Sequence, residues 1–266
     1  MVIIGEKINS TRKVVRPAME ARDSAAILDL AARQAEAGAS YLDVNAGMFR
    51  EEEAALMAWM IETIQEKVKA PFCIDSPNPE AILAGLKANK NGRPIINSIT
   101  CEQARYDAVL PLVLEYNAGV VALCMDDSGM PETAEGRVAI ARELIQRLTA
   151  AGVALGDIYI DPLVRPVGTG SHYGVAALDT IRCIKAEYPG VHIACGLSNV
   201  SYGLPARKVI NQAFLVAATA AGMDGVILDP LDKKLMTSLY AIEAVMGLDE
   251  YCVEYLSRFR AGELEA

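Results

Sequence analysis

Two kinds of segment alternate along the whole chain. Short apolar runs recur as VIIGEKI, YLDVNA, FCID, PIINS, VVALCM, IYIDPL, HIACGL and GVILDP. Between each pair lies a longer stretch in which apolar residues follow a helical spacing, beginning with Ile27, Leu28 and Ala31. Strands that are apolar almost throughout are typical of parallel sheets covered on both faces. Eight such strands alternating with eight helical stretches therefore predict a single (β/α)8 TIM barrel of the α/β class.

The ends of the helical stretches support this prediction. DSAAILDLAARQAEAGAS offers Asp23 or Ser24 as an N-terminal cap and Gly38 as a stop. EEEAALMAWMIETIQEKVKAP has glutamates where a helix dipole is positive and lysines where it is negative. An open doubly wound sheet is the main alternative, but the Gly-x-Gly-x-x-Gly fingerprint of its dinucleotide binders is absent from the sequence. We predict one barrel domain over residues 1–266.

Composition excludes several classes of protein. Hydrophobic residues make up 52% and charged residues 22%, which supports a large core and argues against disorder. The formal net charge of −9 gives the chain no general attraction for a phosphate backbone, so nucleic acid is not an expected partner. No apolar run reaches the roughly 18 residues that span a membrane, and the N-terminal MVIIGEKINSTRK lacks the apolar region of a signal peptide. We expect a cytoplasmic protein with no membrane partner.

The cysteines do not suggest a metal site or a disulfide framework. No two of them form a Cys-x-x-Cys pair, and several lie inside apolar runs. The sequence also lacks the His, Cys and carboxylate spacing of a metal centre, so no bound metal is predicted. We predict buried, reduced thiols at all six positions, which are Cys73, Cys101, Cys124, Cys183, Cys195 and Cys252.

Polar side chains concentrate where the predicted strands end. In a barrel of this class, catalytic and binding groups collect at the C-terminal ends of the strands. Only two histidines exist and no serine lies in a nucleophile elbow, so no catalytic triad is indicated. The strand ends carry carboxylates and amides instead, namely Glu6, Asn9, Asp43, Asn45, Asp75, Asn97, Asp126, Asp161, Asn199 and Asp229.

Each of these groups also has a structural explanation. Asp75 could cap the next helix, and Asp161 could brace the turn at Pro162. Asn97, flanked by isoleucines, is harder to explain in this way, because a buried amide needs hydrogen-bond partners. The convergence of so many polar groups on one face favours a site for a flat, neutral heterocycle with N–H donors and ring acceptors.

The segment HIACGLSNVSYG is an apolar strand that stops at Gly196 and continues with several hydrogen-bonding side chains and no charge. Together with IIGEKIN, LDVNAG, CIDSPN, INS, MDDSGMP, YIDPL and the later INQAFL, it resembles the pterin-binding methyltransferases. These enzymes move a methyl group between methyltetrahydrofolate and the cobalt of a corrinoid protein. The resemblance covers almost the whole chain. It implies a dihydropteroate synthase-like barrel, tetrahydrofolate or 5-methyltetrahydrofolate as substrate, a corrinoid (cobalamin) carried by a partner protein, and a homodimer.

The resemblance also implies roles for individual residues. The pterin ring would be bound by Asp75, Asn97 and Asp161. Asn199 would be the catalytic residue that hydrogen-bonds the fifth ring nitrogen of the folate, because a methylated amine is a poor electrophile until that nitrogen receives a proton or hydrogen bond. The structural alternative is that Asn199 caps the helix near Pro205.

Four further residues would border the substrate according to the same resemblance. Gly196 and Ser198 would line the side of the pterin on which Asn199 lies. Arg207 would lie near the aminobenzoate and glutamate tail of the folate. Tyr202 stands where relatives often have a glutamine-like residue, and PARKV replaces an Asn-Arg-Pro sequence.

Alternative functions remain open from the sequence. Dihydropteroate synthase shares the barrel and pterin pocket, but its last strand ends with basic residues for pyrophosphate, whereas this chain has Asp229 and Asp232 in ILDPLD. The folate domain of cobalamin-dependent methionine synthase is similar but acts beside a zinc-thiolate domain. A folate-binding subunit without catalysis is a third alternative.

The direction of methyl transfer also stays open. The same site serves acetyl-CoA synthesis or methylates tetrahydrofolate within an O-demethylase, methylamine or betaine system. The C-terminal stretch SLYAIEAVMGLDEYCVEYL would either support a homodimer or close the barrel.

Overall fold

The computed structural model describes residues 1–265 and has one closed parallel barrel in that range. Its strands follow one another in chain order around the barrel, and the last pairs with the first through Gly225 opposite Val2. The predicted (β/α)8 barrel is confirmed. The strands are β1 (Val2–Asn9), β2 (Tyr41–Asn45), β3 (Phe72–Asp75), β4 (Ile95–Ile99), β5 (Gly119–Leu123), β6 (Ile158–Asp161), β7 (His192–Gly196) and β8 (Gly225–Leu228).

Helices surround the barrel and connect its strands. The side chain of Asp23 accepts a hydrogen bond from Ala26 N at 3.0 Å, so the predicted cap is present. Asn78 caps the helix after β3, so Asp75 is not its N-terminal cap. The helices are α1 (Arg16–Glu20), α2 (Ser24–Glu36), α3 (Glu53–Gln65), α4 (Pro79–Ala88), α5 (Gln103–Glu115), α6 (Ala134–Ala150), α7 (Tyr173–Glu187), α8 (Arg207–Ala221), α9 (Lys233–Val245) and α10 (Val253–Arg260).

The barrel interior is apolar toward the N-terminal ends of the strands and polar at their C-terminal ends, which form the mouth. Its lower part is a buried cluster formed by Ile4, Cys73, Ile95, Val121, Tyr159 and Ala194, which we call the plug. Successive inward positions of a strand are two residues apart. The next inward side chain after Cys73 is therefore Asp75, and the next after Tyr159 is Asp161. In these two strands, the next inward position, two residues along, therefore belongs to the polar mouth rather than to the packed core.

The cysteine prediction is correct in part. Cys73, Cys101, Cys124 and Cys195 are buried free thiols. Cys183 and Cys252 are exposed, so the prediction of burial is wrong for these two. Cys183 lies on the solvent side of α7, and Cys252 belongs to the short 3-10 turn before α10.

The C-terminal stretch divides into two parts. Helix α9 buries Leu235, Leu239 and Ile242 against the barrel, which fits the closing role. The segment after it buries none of its helical side chains and leaves Tyr251 86% and Phe259 68% exposed. The homodimer stays a prediction. Within residues 1–265, no helix combines the length and apolar character needed to cross a membrane.

Tight packing between α3, α4 and β3 makes Gly85 hard to replace. A Cβ atom at Gly85 would lie 3.0 Å from side-chain carbons of Met57, Ile61 and Ile74, all of which are completely buried. We predict that Gly85→Val lowers the free energy of unfolding by about 2 kcal/mol or more, because overpacked cores are strained. Urea unfolding followed by circular dichroism measures this change. Gly156→Val is the matched control, since no atom lies within 4 Å of its Cβ position; equal losses in both variants would contradict the prediction.

Candidate functional site

A cavity of about 750 Å³ opens at the C-terminal ends of the strands. Its size is sufficient for a drug-sized ligand. Every site residue predicted from the sequence lines this cavity, namely Asp75, Asn97, Asp161, Gly196, Ser198, Asn199, Tyr202 and Arg207. The structure therefore brings the predicted residues together, whereas the roles assigned to them stay predictions. Two smaller pockets of about 250 and 340 Å³ share walls with the cavity.

Asp75 is held by a hydrogen-bond chain that joins β3 to β2 and to the residue that follows β1. The Asn45 side-chain amide donates from Nδ2 to Asp75 Oδ2 at 2.9 Å, and Asn45 Oδ1 accepts from Ser10 Oγ at 3.0 Å. Burial raises the pKa of Asp75 to about 6, while the Asn45 hydrogen bond and the positive charge of Arg105 oppose that rise. Asp75 therefore belongs to an ordered polar network in the cavity wall.

A second carboxyl group, Asp43, lies beside Asp75. Only 2% of Asp43 is exposed, and its Oδ1 has no hydrogen-bond partner among the described residues. Burial raises the pKa of Asp43 well above its usual range, and the charge of Asp75 adds to the rise. Two neighbouring buried carboxyls resist ionising together, so burial and the charge of Asp75 both favour the protonated form of Asp43.

Asn97 completes this side of the wall. It lies directly opposite Asp75 in the ladder between β3 and β4, and its backbone oxygen accepts from Ser76 N at 3.0 Å. Arg105 holds the ends of these two strands, donating from Nη2 to Ser76 O at 2.8 Å and from Nε to Ser98 O at 2.9 Å. The amide and the carboxylate therefore occupy fixed neighbouring positions.

Asp161 combines a structural role with a place in the cavity wall. Its Oδ1 accepts from Leu163 N at 2.8 Å, which braces the turn after β6. Burial raises the pKa of Asp161 to about 7, and the Leu163 hydrogen bond and the positive charge of Arg137 oppose the rise. Asp161 is thus ionised at slightly alkaline pH and protonated under mildly acidic conditions.

The segment that contains Asn199 is a 3-10 helix over Leu197–Ser201. Helix α8 begins at Arg207 and its N-cap residue, Ala206, makes no side-chain cap, so Asn199 does not cap that helix. The Asn199 side chain is exposed at the mouth. Its Nδ2 lies 3.1 Å from the position that a Cβ atom would take on Gly196. The missing side chain of Gly196 therefore provides the space into which the Asn199 amide folds.

Arg207 holds this 3-10 segment in place through two hydrogen bonds. It donates from Nη2 to Ser198 O at 2.6 Å and from Nε to Ser201 Oγ at 3.0 Å. Its guanidinium lies 5.8 Å from the ring centroid of Tyr202, which is 69% exposed. Arg207 thus orders the segment that carries Asn199, and its predicted contact with a ligand tail is untested.

The mouth carries more positive charge than the strand-end residues indicated. Arg12, in the loop after β1, lines the cavity and forms an ion pair with Glu6. Lys7 pairs with Asp229 at 2.6 Å. Asp229 lines the smaller pocket beside the main cavity and is not part of the main cavity wall. Arg12 was not among the predicted site residues, which at the strand ends were carboxylates and amides. The segment INSTRK carried the relevant signal, because cations follow the end of β1 directly.

Comparison with known families and sequences gives consistent results. The family described as pterin binding enzyme matches residues 5–229. The chain is 38% identical to a methylcorrinoid:tetrahydrofolate methyltransferase of Eubacterium limosum, over 99% of this chain and 98% of that protein. It is 35% identical to the methionine synthase of Mycobacterium leprae over 85% of this chain, which corresponds to 20% of that longer protein.

Comparison with solved structures supports the fold. The Yersinia pestis dihydropteroate synthase bound to a pterin–sulfa conjugate superposes with a TM-score of 0.70 at 17% identity, over 92% of this chain and 94% of that one. The Xanthomonas albilineans dihydropteroate synthase in complex with 7,8-dihydropteroate gives a TM-score of 0.66 at 20% identity, over 94% and 93%. At these identities the likeness shows the dihydropteroate synthase-like barrel alone.

The raised pKa of Asp161 predicts a pH-dependent gain in stability when the carboxyl is removed. Because burial raises the folded-state pKa to about 7, the folded protein binds a proton more readily than the unfolded chain between about pH 4 and 7. Wild-type stability therefore falls as the pH rises through this range. Asp161→Asn keeps the oxygen that accepts from Leu163 N. We predict that its free energy of unfolding near pH 8 is about 1–3 kcal/mol higher than that of the wild-type protein.

Urea unfolding at several pH values measures this difference. The gain should shrink as the pH falls toward about 4, where the carboxyl is protonated in both states. Asp179→Asn is the control, because Asp179 is a half-exposed residue of α7 that pairs with Arg182. A gain of the same size at every pH would show that ionisation of Asp161 is not its cause.

Proposed function

Because this chain belongs to the family of pterin binding enzymes, we propose that it is a methyltransferase acting between tetrahydrofolate and a corrinoid protein. The methyl group would move between the fifth ring nitrogen of the folate and the cobalt of the corrinoid. One observation carries the proposal, which is that Asp75, Asn97, Asp161 and Asn199 line the same cavity. The identity of 38% to a methylcorrinoid:tetrahydrofolate methyltransferase supports it over almost the full length of both chains.

The carboxylates suit one edge of a pterin ring. That edge presents neighbouring N–H donors, and ionised carboxylates accept such pairs more strongly than neutral groups do. The amide of Asn97 can both donate and accept, so it complements a ring that carries donors and acceptors side by side. We propose that Asp75, Asn97 and Asp161 bind the ring and that Gly196 and Ser198 border it.

Asn199 would act on the reacting nitrogen. When a methyl group leaves the fifth ring nitrogen, that nitrogen would take up negative charge unless it is protonated or receives a hydrogen bond. A carboxamide donates to the nitrogen without being ionised, and its oxygen accepts from the protonated amine. One donor of this kind typically stabilises a transition state by about 3 kcal/mol. The reverse reaction passes through the same transition state, so the role of Asn199 is the same in both directions.

The physiological direction can be proposed from the relative. The name of the Eubacterium limosum protein gives a methylcorrinoid as donor and tetrahydrofolate as acceptor. We propose the same direction here, with a methylated corrinoid protein as partner and tetrahydrofolate as acceptor. Asp229 and Asp232 beside the mouth are each paired with a lysine, so the preference for methyl transfer over dihydropteroate synthesis rests on the 38% identity to the methyltransferase.

The first experiment is spectroscopic. The purified protein is mixed with 5-methyltetrahydrofolate and chemically reduced cob(I)alamin, and the absorption of cob(I)alamin is followed as methylcobalamin forms. The reverse assay starts from methylcobalamin and tetrahydrofolate. We expect conversion in both assays. Folate binding without conversion in either assay, repeated with a corrinoid protein as methyl carrier, would contradict the proposal and favour a non-catalytic folate-binding subunit.

Replacing Asn199 separates catalysis from binding. We predict that Asn199→Ala keeps the dissociation constant of folate within about tenfold and slows methyl transfer by about 100-fold or more. The reason is that the carboxamide acts chiefly when charge changes at the reacting nitrogen. Stopped-flow absorption measures the transfer rate, and isothermal titration calorimetry measures binding.

Asp75→Ala is the contrasting variant. It removes an acceptor for the ring donors and should raise the dissociation constant of folate, since buried donors left unpaired are costly. Normal turnover in Asn199→Ala would overturn the role of Asn199. Unchanged folate affinity in Asp75→Ala would remove that strand end from the pterin site.

A further inference from the structure

Arg105, in the first turn of α5, makes its hydrogen bonds within residues 1–265 to main-chain oxygens at the mouth. Nη2 donates to Ser76 O at 2.8 Å and to Ser98 O at 2.6 Å, Nε donates to Ser98 O at 2.9 Å, and Nη1 donates to Pro77 O at 2.6 Å. A guanidinium holds its donors in a rigid planar fork, so this one side chain joins the ends of β3 and β4. We call this set of contacts the Arg105 bridge.

The Arg105 bridge lies where the ladder between β3 and β4 stops. Asp75 and Asn97 are the last paired residues, and Ser76 N donates to Asn97 O at 3.0 Å just beyond them. β3 ends at Asp75 and the chain turns into α4, whereas β4 continues to Ile99. Strand ends that lack further ladder bonds open most easily. Arg105 supplies the missing connection, because its Nη2 binds one carbonyl oxygen from each chain segment.

The position of Arg105 is not explained by the stability of α5. The first turn of a helix is the positive end of its dipole, where a cation is unfavourable. The side chain is also half-buried. Burial lowers the pKa of Arg105, while the negative charges of Asp75 and Glu102 oppose that change. The hydrogen bonds to the strand ends offset these unfavourable effects.

Arg105 lies beside the ring-binding groups without lining their cavity. Asp75 and Asn97 belong to the walls of both the 750 Å³ cavity and the neighbouring 340 Å³ pocket, whereas Arg105 lines the smaller pocket and is not part of the main cavity wall. Its acceptors Ser76 and Ser98 directly follow Asp75 and Asn97 in the sequence. A change in the separation of these two carbonyl groups therefore moves the carboxylate and the amide relative to each other.

We propose that Arg105 is a positioning residue for the ring site, which fixes the spacing of Asp75 and Asn97 by joining the residues that follow them. This inference rests on the proposed function, because it assumes that these two side chains bind the pterin ring. Recognition of a flat ring by two side chains depends on their separation, and a misplacement of about 1 Å weakens such recognition strongly. Arg105 therefore affects the binding of folate and leaves the transfer step at saturating folate unchanged.

The binding experiment compares wild-type protein with Arg105→Met and Arg105→Lys. Calorimetric titration with tetrahydrofolate, well below the unfolding temperature, measures the dissociation constant. We expect Arg105→Met to weaken binding about tenfold and Arg105→Lys at least about threefold, because an ammonium group lacks the planar fork that reaches both segments. Full affinity in Arg105→Lys would mean that only the charge matters. Full affinity in Arg105→Met would mean that the bridge has no part in binding, and either result overturns the inference.

Steady-state kinetics separate positioning from catalysis. Methyl transfer from methylcobalamin is measured at increasing tetrahydrofolate concentration. We expect Arg105→Met to raise the KM for tetrahydrofolate about tenfold and to leave kcat within about twofold of the wild-type value, since the bridge acts on binding alone. A loss that falls mainly on kcat would contradict this assignment.

Arg93→Met is the matched control. Arg93 also joins neighbouring segments, but at the opposite end of the barrel, where it donates to Asn117 O before β5 and pairs with Asp157 before β6. Its replacement should lower the free energy of unfolding and leave the dissociation constant of tetrahydrofolate unchanged. Equal losses of affinity in Arg93→Met and Arg105→Met would show a general loss of stability and overturn the inference.

A second measurement needs no ligand. The amide proton of Ser76, whose nitrogen donates to Asn97 O, reports by hydrogen exchange on the separation of the two strand ends. We expect this exchange to be about tenfold faster in Arg105→Met and unchanged in Arg93→Met. Unchanged exchange in Arg105→Met overturns the inference even if folate binds. Faster exchange, in a protein whose wild-type form binds no tetrahydrofolate, overturns the proposed function and the target assigned to Arg105, while the bridge itself stands.

Discussion

The alternation of side chains along the barrel strands determines where this protein can place its chemistry. Inward positions recur every second residue, so one strand supplies an apolar side chain to the plug and a polar one to the mouth. The polar groups are then close to a dry core, and burial raises the pKa of Asp75 to about 6 and that of Asp161 to about 7. Carboxyl groups with pKa values near 6 or 7 change charge near neutral pH. Their ionisation is therefore sensitive to other charges nearby.

The ring-binding groups and the reacting group stand on different kinds of backbone. Asp75 and Asp161 are the last residues of their strands and Asn97 lies within β4, and ladder or side-chain hydrogen bonds to neighbouring strands fix all three. Asn199 stands on a short 3-10 helix, exposed at the mouth, that Arg207 holds through Ser198 and Ser201. Rigid strands suit precise recognition of a flat ring. A short helix at the mouth suits a side chain that must form its hydrogen bond as the substrate arrives.

The fold could be predicted because its signals are local. Each strand is a short apolar run, and caps such as Asp23 mark where helices begin. The residues of the mouth could be predicted from strand ends and from the resemblance. The side-chain contacts could not be predicted, because a sequence alone does not show that Asn45 reaches Asp75 or that Arg12 turns back to Glu6. The first contact depends on the register of the closed sheet, and the second depends on the conformation of the loop after β1.

The burial of Arg137 shows a second limit of prediction from sequence. It shares the inward face of α6 with Ala141, Leu144 and Leu148, a helical spacing that was present in the sequence. An arginine at such a position is normally expected to reach solvent, since charged side chains are rarely buried without a partner.

The plug has one further consequence, for access to the cavity. Packed side chains fill the barrel below the mouth, so a ligand can enter and leave the cavity only from above. Under the proposed function, a corrinoid protein would have to reach the folate through that same opening, so folate and partner would share one entrance to the cavity.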